Sequence, residues 1–131
     1  MSVDAIGDFL TVIRNGLMAS KSFVTVFHSK TKEAMLRILK DEGFIKDFVV
    51  LDAETKKKRL KVFLKYAPSG ESVIHSLKRV SKLGCRQYTG AKVPPVIDGL
   101  GISILSSNHG IISNKDARRL NVGGEILCTV W

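Results

Sequence analysis

The side chains that most often do chemistry are few and scattered in this sequence. His28, His75 and His109 stand far apart, without the HxxxH or HExxH spacing that sets two imidazoles on one helical face for zinc. Cys85 and Cys128 form no CxxC pair and have no companion ligand motif, so both read as reduced, buried thiols. The segment "GLG" (Gly99 to Gly101) has the start of a dinucleotide fingerprint, but it precedes an expected strand where the fingerprint must follow one. No GK[ST] phosphate loop is present, and these glycines read as a bend. An enzyme needs an acid, base, nucleophile or metal set that converges. The dispersed candidates predict a protein that is not an enzyme, with no cofactor, no metal and no small-molecule substrate.

The charge points elsewhere. Lys and Arg number 21 against 12 Asp and Glu, a net charge of +9 that attracts polyanions. Residues 1–67 hold 13 basic and 8 acidic residues and residues 68–131 hold 8 and 4, so the charge is not one detachable tail. "KKKR" (Lys56 to Arg59) and "KRVSK" (Lys78 to Lys82) can neutralise phosphates, although the first reads rather as a solvated hairpin tip. Arg14, Lys30 and Lys32 lie near helix ends, where long cations reach an external groove or merely solvate the helix.

RNA is read through stacking on aromatic or Arg planes and hydrogen bonds to base edges and 2′-hydroxyls. Arg86 and Tyr88, two apart, share one face if they lie on a strand. Ser106, Ser107 and Asn108 put short donors and acceptors on a tight connection, although a turn requires the same residue types. Glu125 is a carboxylate beside two glycines in a basic chain. It can pair with Arg118 or Arg119, or it can act as an acceptor that selects base amino groups and repels misplaced phosphates.

These residues need elements to position them. Ile6, Phe9, Leu10, Ile13 and Leu17 line one face of a helix from Asp4 to Ala19, and "SFVTVF" (Ser22 to Phe27) reads as a strand. Ser29 caps a second helix that runs to about Glu42, and "FIKDFVVL" and "RLKVFLKY" follow as strands joined by "DAETKKK". "APSGES" breaks the chain, which places a domain boundary between residues 67 and 68. Beyond it, "HSLKRVS" and "CRQYT" read as strands and "VPPVIDG" as a loop or a short turn of helix. "GISILS" and "IIS" flank a tight "SNHG" connection, Asn114 caps a short helix through Leu120, and "EILCTVW" is a final strand. The expected fold is α/β (α+β) in two lobes: an N-terminal α-β-α-β-β lobe, 1–67, and a mostly β lobe with a short helix, 68–131. No apolar run approaches the roughly 20 residues that span a bilayer, and no signal-like segment opens the chain. A cytoplasmic protein without a membrane partner is expected.

"DAIGDFLTVIRNG" (Asp4 to Gly16), "SKTKEAMLRILKDEGFI" (Ser29 to Ile45) and "GLGISILSSNHGIISNKDARRLNVGGEILCTVW" (Gly99 to Trp131) carry a resemblance over essentially the whole chain. The sequence resembles the bacterial-type family of the eighth small-subunit ribosomal protein. The resemblance implies a structural constituent of the small ribosomal subunit that binds the central domain of its ribosomal RNA and helps build the platform. It also implies neighbours among the small-subunit proteins, the fifth and the twelfth, and translational repression through its own messenger RNA. The Ser-Thr-Ser turn typical of the family corresponds to Ser106, Ser107 and Asn108, so this member departs from it at two positions. His109 stands where Lys is common and Ala5 where Pro is common. Tyr88 and Glu125 match the family's second-lobe RNA surface, and Lys30 a basic position of the first lobe.

Overall fold

The computed structural model describes residues 4–90, 92–96 and 99–131. It divides into two compact units, residues 5–74, and residues 75–131 together with Asp4. The architecture is α+β, as the residue patterns require.

In the 5–74 unit, α1 (Ala5–Met18) buries Phe9, Leu10 and Ile13, the stripe that its periodicity demands. β1 (Phe23–Phe27), α2 (Lys30–Asp41), β2 (Ile45–Leu51) and β3 (Arg59–Leu64) follow. Ser29 is the α2 N-cap: its hydroxyl oxygen accepts the Lys32 N–H at 3.1 Å. The helix ends where Gly43 takes φ +80°, a conformation that costs a residue without a Cβ nothing. The three strands form an antiparallel sheet in the order β1-β3-β2. Alternation along β3 sends Leu60, Val62 and Leu64 into the core, with Met35, Leu36 and Leu39 of α2.

In the 75–131 unit, β4 (Leu77–Arg79), β5 (Tyr88–Thr89), β6 (Ile102–Ser107), β7 (Gly110–Ser113) and β8 (Gly124–Val130) make one antiparallel sheet. Its order is β4-β8-β6-β7, and β5 pairs with β8 beyond the end of β4. The helix α3 (Asn114–Leu120) lies after β7, and Ala117 packs with Leu105 and Val93, flanked by Ile112, Val122 and Ile126.

Three expectations need correction. The strands "HSLKRVS" and "CRQYT" shrink to three and two residues. The Val80 and Ser81 N–H groups still reach the Leu127 and Ile126 carbonyls, but past an irregularity that ends the regular ladder. The α3 cap is Ser113, whose hydroxyl oxygen accepts the Asp116 N–H at 3.2 Å. Asn114 is buried and its Oδ1 accepts the Ser103 N–H at 3.1 Å, which ties the start of α3 to β6. Cys85 is exposed beside a two-residue turn, while Cys128 is buried, and neither forms a disulfide. Burial pushes the Cys128 thiol up to about 12, so it remains protonated and behaves as a small apolar group. Of "VPPVIDG", Ile97 and Asp98 lie outside the described residues.

Replacing Asn114 with Ala strands the buried Ser103 N–H, so urea unfolding should show a loss of about 1–3 kcal/mol. Unchanged stability would mean that the β6 backbone finds another partner and that the Asn114 tie is dispensable.

Candidate RNA interface

The polar residues of the second unit converge through strand register. Tyr88 on β5 pairs with Glu125 on β8, and Glu125 pairs with Ser106 on β6. Directly opposed residues in antiparallel strands share a face, so an aromatic, a carboxylate and a hydroxyl stand in one row. With Ser107, Asn108, Val122, Gly123 and Gly124 they line an open groove of about 600 Å³.

A bulge sets which face the row occupies. Ile104 pairs with Cys128, but Leu105 pairs with Ile126, which leaves Leu127 as an extra residue on β8. Without it, alternation from Cys128 would place Ile126 beside Ser106 and turn Glu125 toward the apolar cluster around Leu105 and Ala117. The Leu127 carbonyl accepts the Val80 N–H at 3.0 Å and the Arg79 Nη1–H at 2.8 Å. Arg79 is consequently an internal residue, only 10% exposed and 3.5 Å from Asp4. Of the cations in "KRVSK", Lys78 and Lys82 remain exposed.

The glycines before Glu125 are there for closeness. A Cβ on Gly123 would overlap the Thr89 carbonyl oxygen, and one on Gly124 would overlap the Ser106 carbonyl oxygen. Any side chain would force β8 away from β5 and β6 at the groove floor.

Glu125 pairs with neither Arg118 nor Arg119. Ser81 Oγ–H donates to its Oε2 at 2.5 Å and Arg86 Nη1–H donates to the same oxygen at 2.9 Å. Arg119 instead reaches Asp116. Ser81 is fully buried, and its oxygen also accepts the Gln87 N–H at 3.2 Å, so one hydroxyl joins the segment before β5 to the carboxylate. The Ser81 hydrogen bond, followed by Arg86 and the nearby Arg79 charge, holds the Glu125 carboxyl below its usual range against the opposing effect of burial. The Glu125 side chain is 18% exposed, and neither bond uses Oε1. Ser81 could not be picked out of the sequence, because its role exists only through a contact spanning 44 residues, and Gln87 enters only through Ser81.

The remaining candidates divide. Tyr88 is 71% exposed at the groove edge. Arg86 lies just before β5 and serves Glu125 from that side. The Ser107 hydroxyl is engaged in its own turn, accepting the His109 N–H at 3.1 Å and donating to the Gly110 carbonyl at 3.0 Å. Asn108 is exposed at the turn tip. Lys30, the first residue of α2, is exposed in the other unit and is not part of the groove. Lys32 donates to the Phe27 carbonyl, and Arg59 pairs with Asp52.

The chain is thus a basic α+β protein whose second unit carries a groove of hydroxyls, an amide, an aromatic ring and one pinned carboxylate. Comparison with known sequences gives its class: the family model described as Ribosomal protein S8 matches residues 4–131. The chain is 50% identical to small ribosomal subunit protein uS8 of Lactobacillus helveticus, over 98% of this chain and 97% of that protein. It is 47% identical to the uS8 of Chlamydia pneumoniae, over 100% and 98%. The chain belongs to the ribosomal protein S8 family, a family of structural, non-enzymatic proteins.

The lowered Glu125 carboxyl has a pH consequence. Its folded value lies below the ordinary 4.5, so its contribution to stability is complete above that pH and is lost as pH falls through the folded value. Urea unfolding from pH 7 to pH 3 should show Glu125→Gln less stable than the parent near neutrality, with the gap closing in acid. A gap that is constant with pH would refute the charge-based account of the clasp.

Proposed function

We propose that this chain is a structural constituent of the small ribosomal subunit that binds the central domain of small-subunit ribosomal RNA and helps assemble the platform. The observation that carries the reading is the row Tyr88–Glu125–Ser106, extended by Ser107 and Asn108 along one groove. Residues 68–131 then hold the principal RNA surface, and Lys30 in the 1–67 lobe adds a phosphate contact.

Each group has a distinct part. The exposed Tyr88 ring stacks on an unstacked base, while Ser106, Ser107 and Asn108 meet base edges and 2′-hydroxyls. Glu125 is an acceptor only, so it takes a base amino group and repels a phosphate that strays into the groove. Because Ser81 and Arg86 already hold it, little side-chain freedom is lost on binding. Lysines on both lobes supply the general attraction, which weakens with salt. Asn108 and His109, which depart from the family turn, change its edge contacts and remove one lysine from its phosphate side. The same groove serves for repression if the chain's own messenger RNA presents a structure similar to the ribosomal target. The fifth and twelfth small-subunit proteins are the proposed protein neighbours, on the ribosome.

Filter binding to central-domain RNA across a salt series tests this. Tyr88→Ala should weaken binding about tenfold, within the range of one base–aromatic stack, and leave thermal unfolding unchanged. Asn108→Ala should cost about 1 kcal/mol of binding, the worth of a polar contact. If affinity and stability fall together in both variants, the groove is scaffold and the RNA lies elsewhere.

A further inference from the structure

We propose that the outer face of the β1-β3-β2 sheet is a second RNA-contact surface, which stacks unpaired bases on Phe23 and Phe27 and holds phosphates with Lys61 and Lys56 to Lys58. This surface lies in the 5–74 unit and is independent of the groove in the other unit.

Strand register defines the face. Leu60, Val62, Leu64 and Val24 point into the core, so their strand neighbours point outward. Phe23 pairs with Phe63, Thr25 with Lys61, and Phe27 with Arg59. Phe27 is 69% and Phe23 43% exposed, so two large rings stand in water on an edge strand whose core is already filled from the other side. They are four residues apart, about 13 Å along an extended strand, a spacing that suits two non-adjacent bases. A recess of about 200 Å³ lies beside Phe27 and Arg59, while the recess of about 520 Å³ that borders Phe23 lies on the α1 side of the strand and is not part of this face.

The charges of this face choose the ligand. Lys61 Nζ sits 4.1 Å from the Phe23 ring centre and 5.2 Å from that of Phe63. It is paired with the rings rather than with a carboxylate. The nearby acids are engaged: Asp47 with Lys40 at 3.1 Å and with the Phe48 N–H, and Asp52 with Arg59 at 3.1 Å. Lys56, Lys57 and Lys58 are exposed on the β2–β3 connection, which leaves the sheet next to the Leu51–Arg59 pair and also carries Glu54. An apolar peptide would have to desolvate the Lys61 ammonium. A single strand of RNA instead offers flat bases for the rings and a phosphate for the ammonium, which moves from ring to backbone as a base arrives. A duplex keeps its bases stacked and cannot reach the rings.

The test uses the full chain and fluorescently labelled ten-nucleotide oligouridylate and oligoadenylate, read by anisotropy at several salt concentrations. Phe23→Leu and Phe27→Leu keep an apolar side chain but remove the rings, and each should weaken binding at least about fivefold with thermal unfolding unchanged. Lys61→Gln should weaken binding and flatten the salt slope by about 0.7. Tyr88→Ala should leave oligonucleotide binding intact while it weakens central-domain RNA, so the two surfaces succeed or fail separately. Unchanged affinity in both Leu variants overturns the proposal, as does binding that Tyr88→Ala abolishes. An absence of oligonucleotide binding, with resonances of Phe23 and Phe27 shifting only on addition of another small-subunit protein, overturns it in favour of protein docking.

Discussion

The extra residue at Leu127 is the constraint from which the groove follows. Side-chain alternation along a strand has a period of two, so a one-residue insertion inverts every side chain beyond it. Here the inversion delivers Ile126 to the apolar cluster with Leu105 and delivers Glu125 to the row with Tyr88 and Ser106. Both halves of the exchange are favourable, because an isoleucine enters the core and a carboxylate leaves it. The Arg79 guanidinium stabilises the irregular backbone by bonding the Leu127 carbonyl, and Asp4 offsets part of its charge. A buried arginine would otherwise carry a large desolvation cost.

The carboxylate that the bulge exposes is then held by two bonds of unequal worth. Arg86 is 40% exposed, so its ion pair with Glu125 contributes at most about 1 kcal/mol. The Ser81 hydroxyl is buried and bonds a charged acceptor, a class worth about 1.5–3 kcal/mol. Ser81 therefore sets the position of Glu125, and Arg86 balances the charge. Gly123 and Gly124 complete the arrangement by letting three strands approach at the floor. The result is one firmly held carboxylate in the groove of a cationic protein, an acceptor suited to the proposed discrimination among RNA groups rather than to general attraction.

The two units treat their exposed residues differently. In the 75–131 unit two polar side chains of the groove are held in place, Ser107 by its own turn and Glu125 by Ser81 and Arg86. In the 5–74 unit, Lys61 lies over the Phe23 and Phe63 rings on an open sheet face, where Arg59 pairs with Asp52. Held polar groups suit the proposed recognition of structured RNA, whereas a cation over rings suits the proposed contact with a flexible strand.

Much of the fold was legible from local pattern alone. The 3.6-residue periodicity of Ile6 to Leu17, the Ser29 cap, the stop at Gly43 and the alternation along Arg59 to Leu64 are local properties, decided by sterics and burial within a few residues. The membership of Tyr88, Ser106, Ser107, Asn108 and Glu125 in one groove was approached through residue type and family likeness. Their joint position depends on pairings 19 and 37 residues apart in the chain, Ser106 to Glu125 and Tyr88 to Glu125. Partner choice was beyond reach for the same reason. Arg118 and Arg119 are close to Glu125 in sequence, but α3 points them elsewhere, while Ser81 and Arg86 arrive through strand pairing across some forty residues. Asn114 shows the same limit at short range: its residue type suits a cap, yet a buried β6 N–H needed an acceptor and the neighbouring Ser113 could cap in its place. The sequence by itself determined the charge and most of the elements, and it pointed to a non-catalytic protein. The tertiary structure alone decided which side chains meet, because a bulge and its register are settled by long-range pairing that no local window contains.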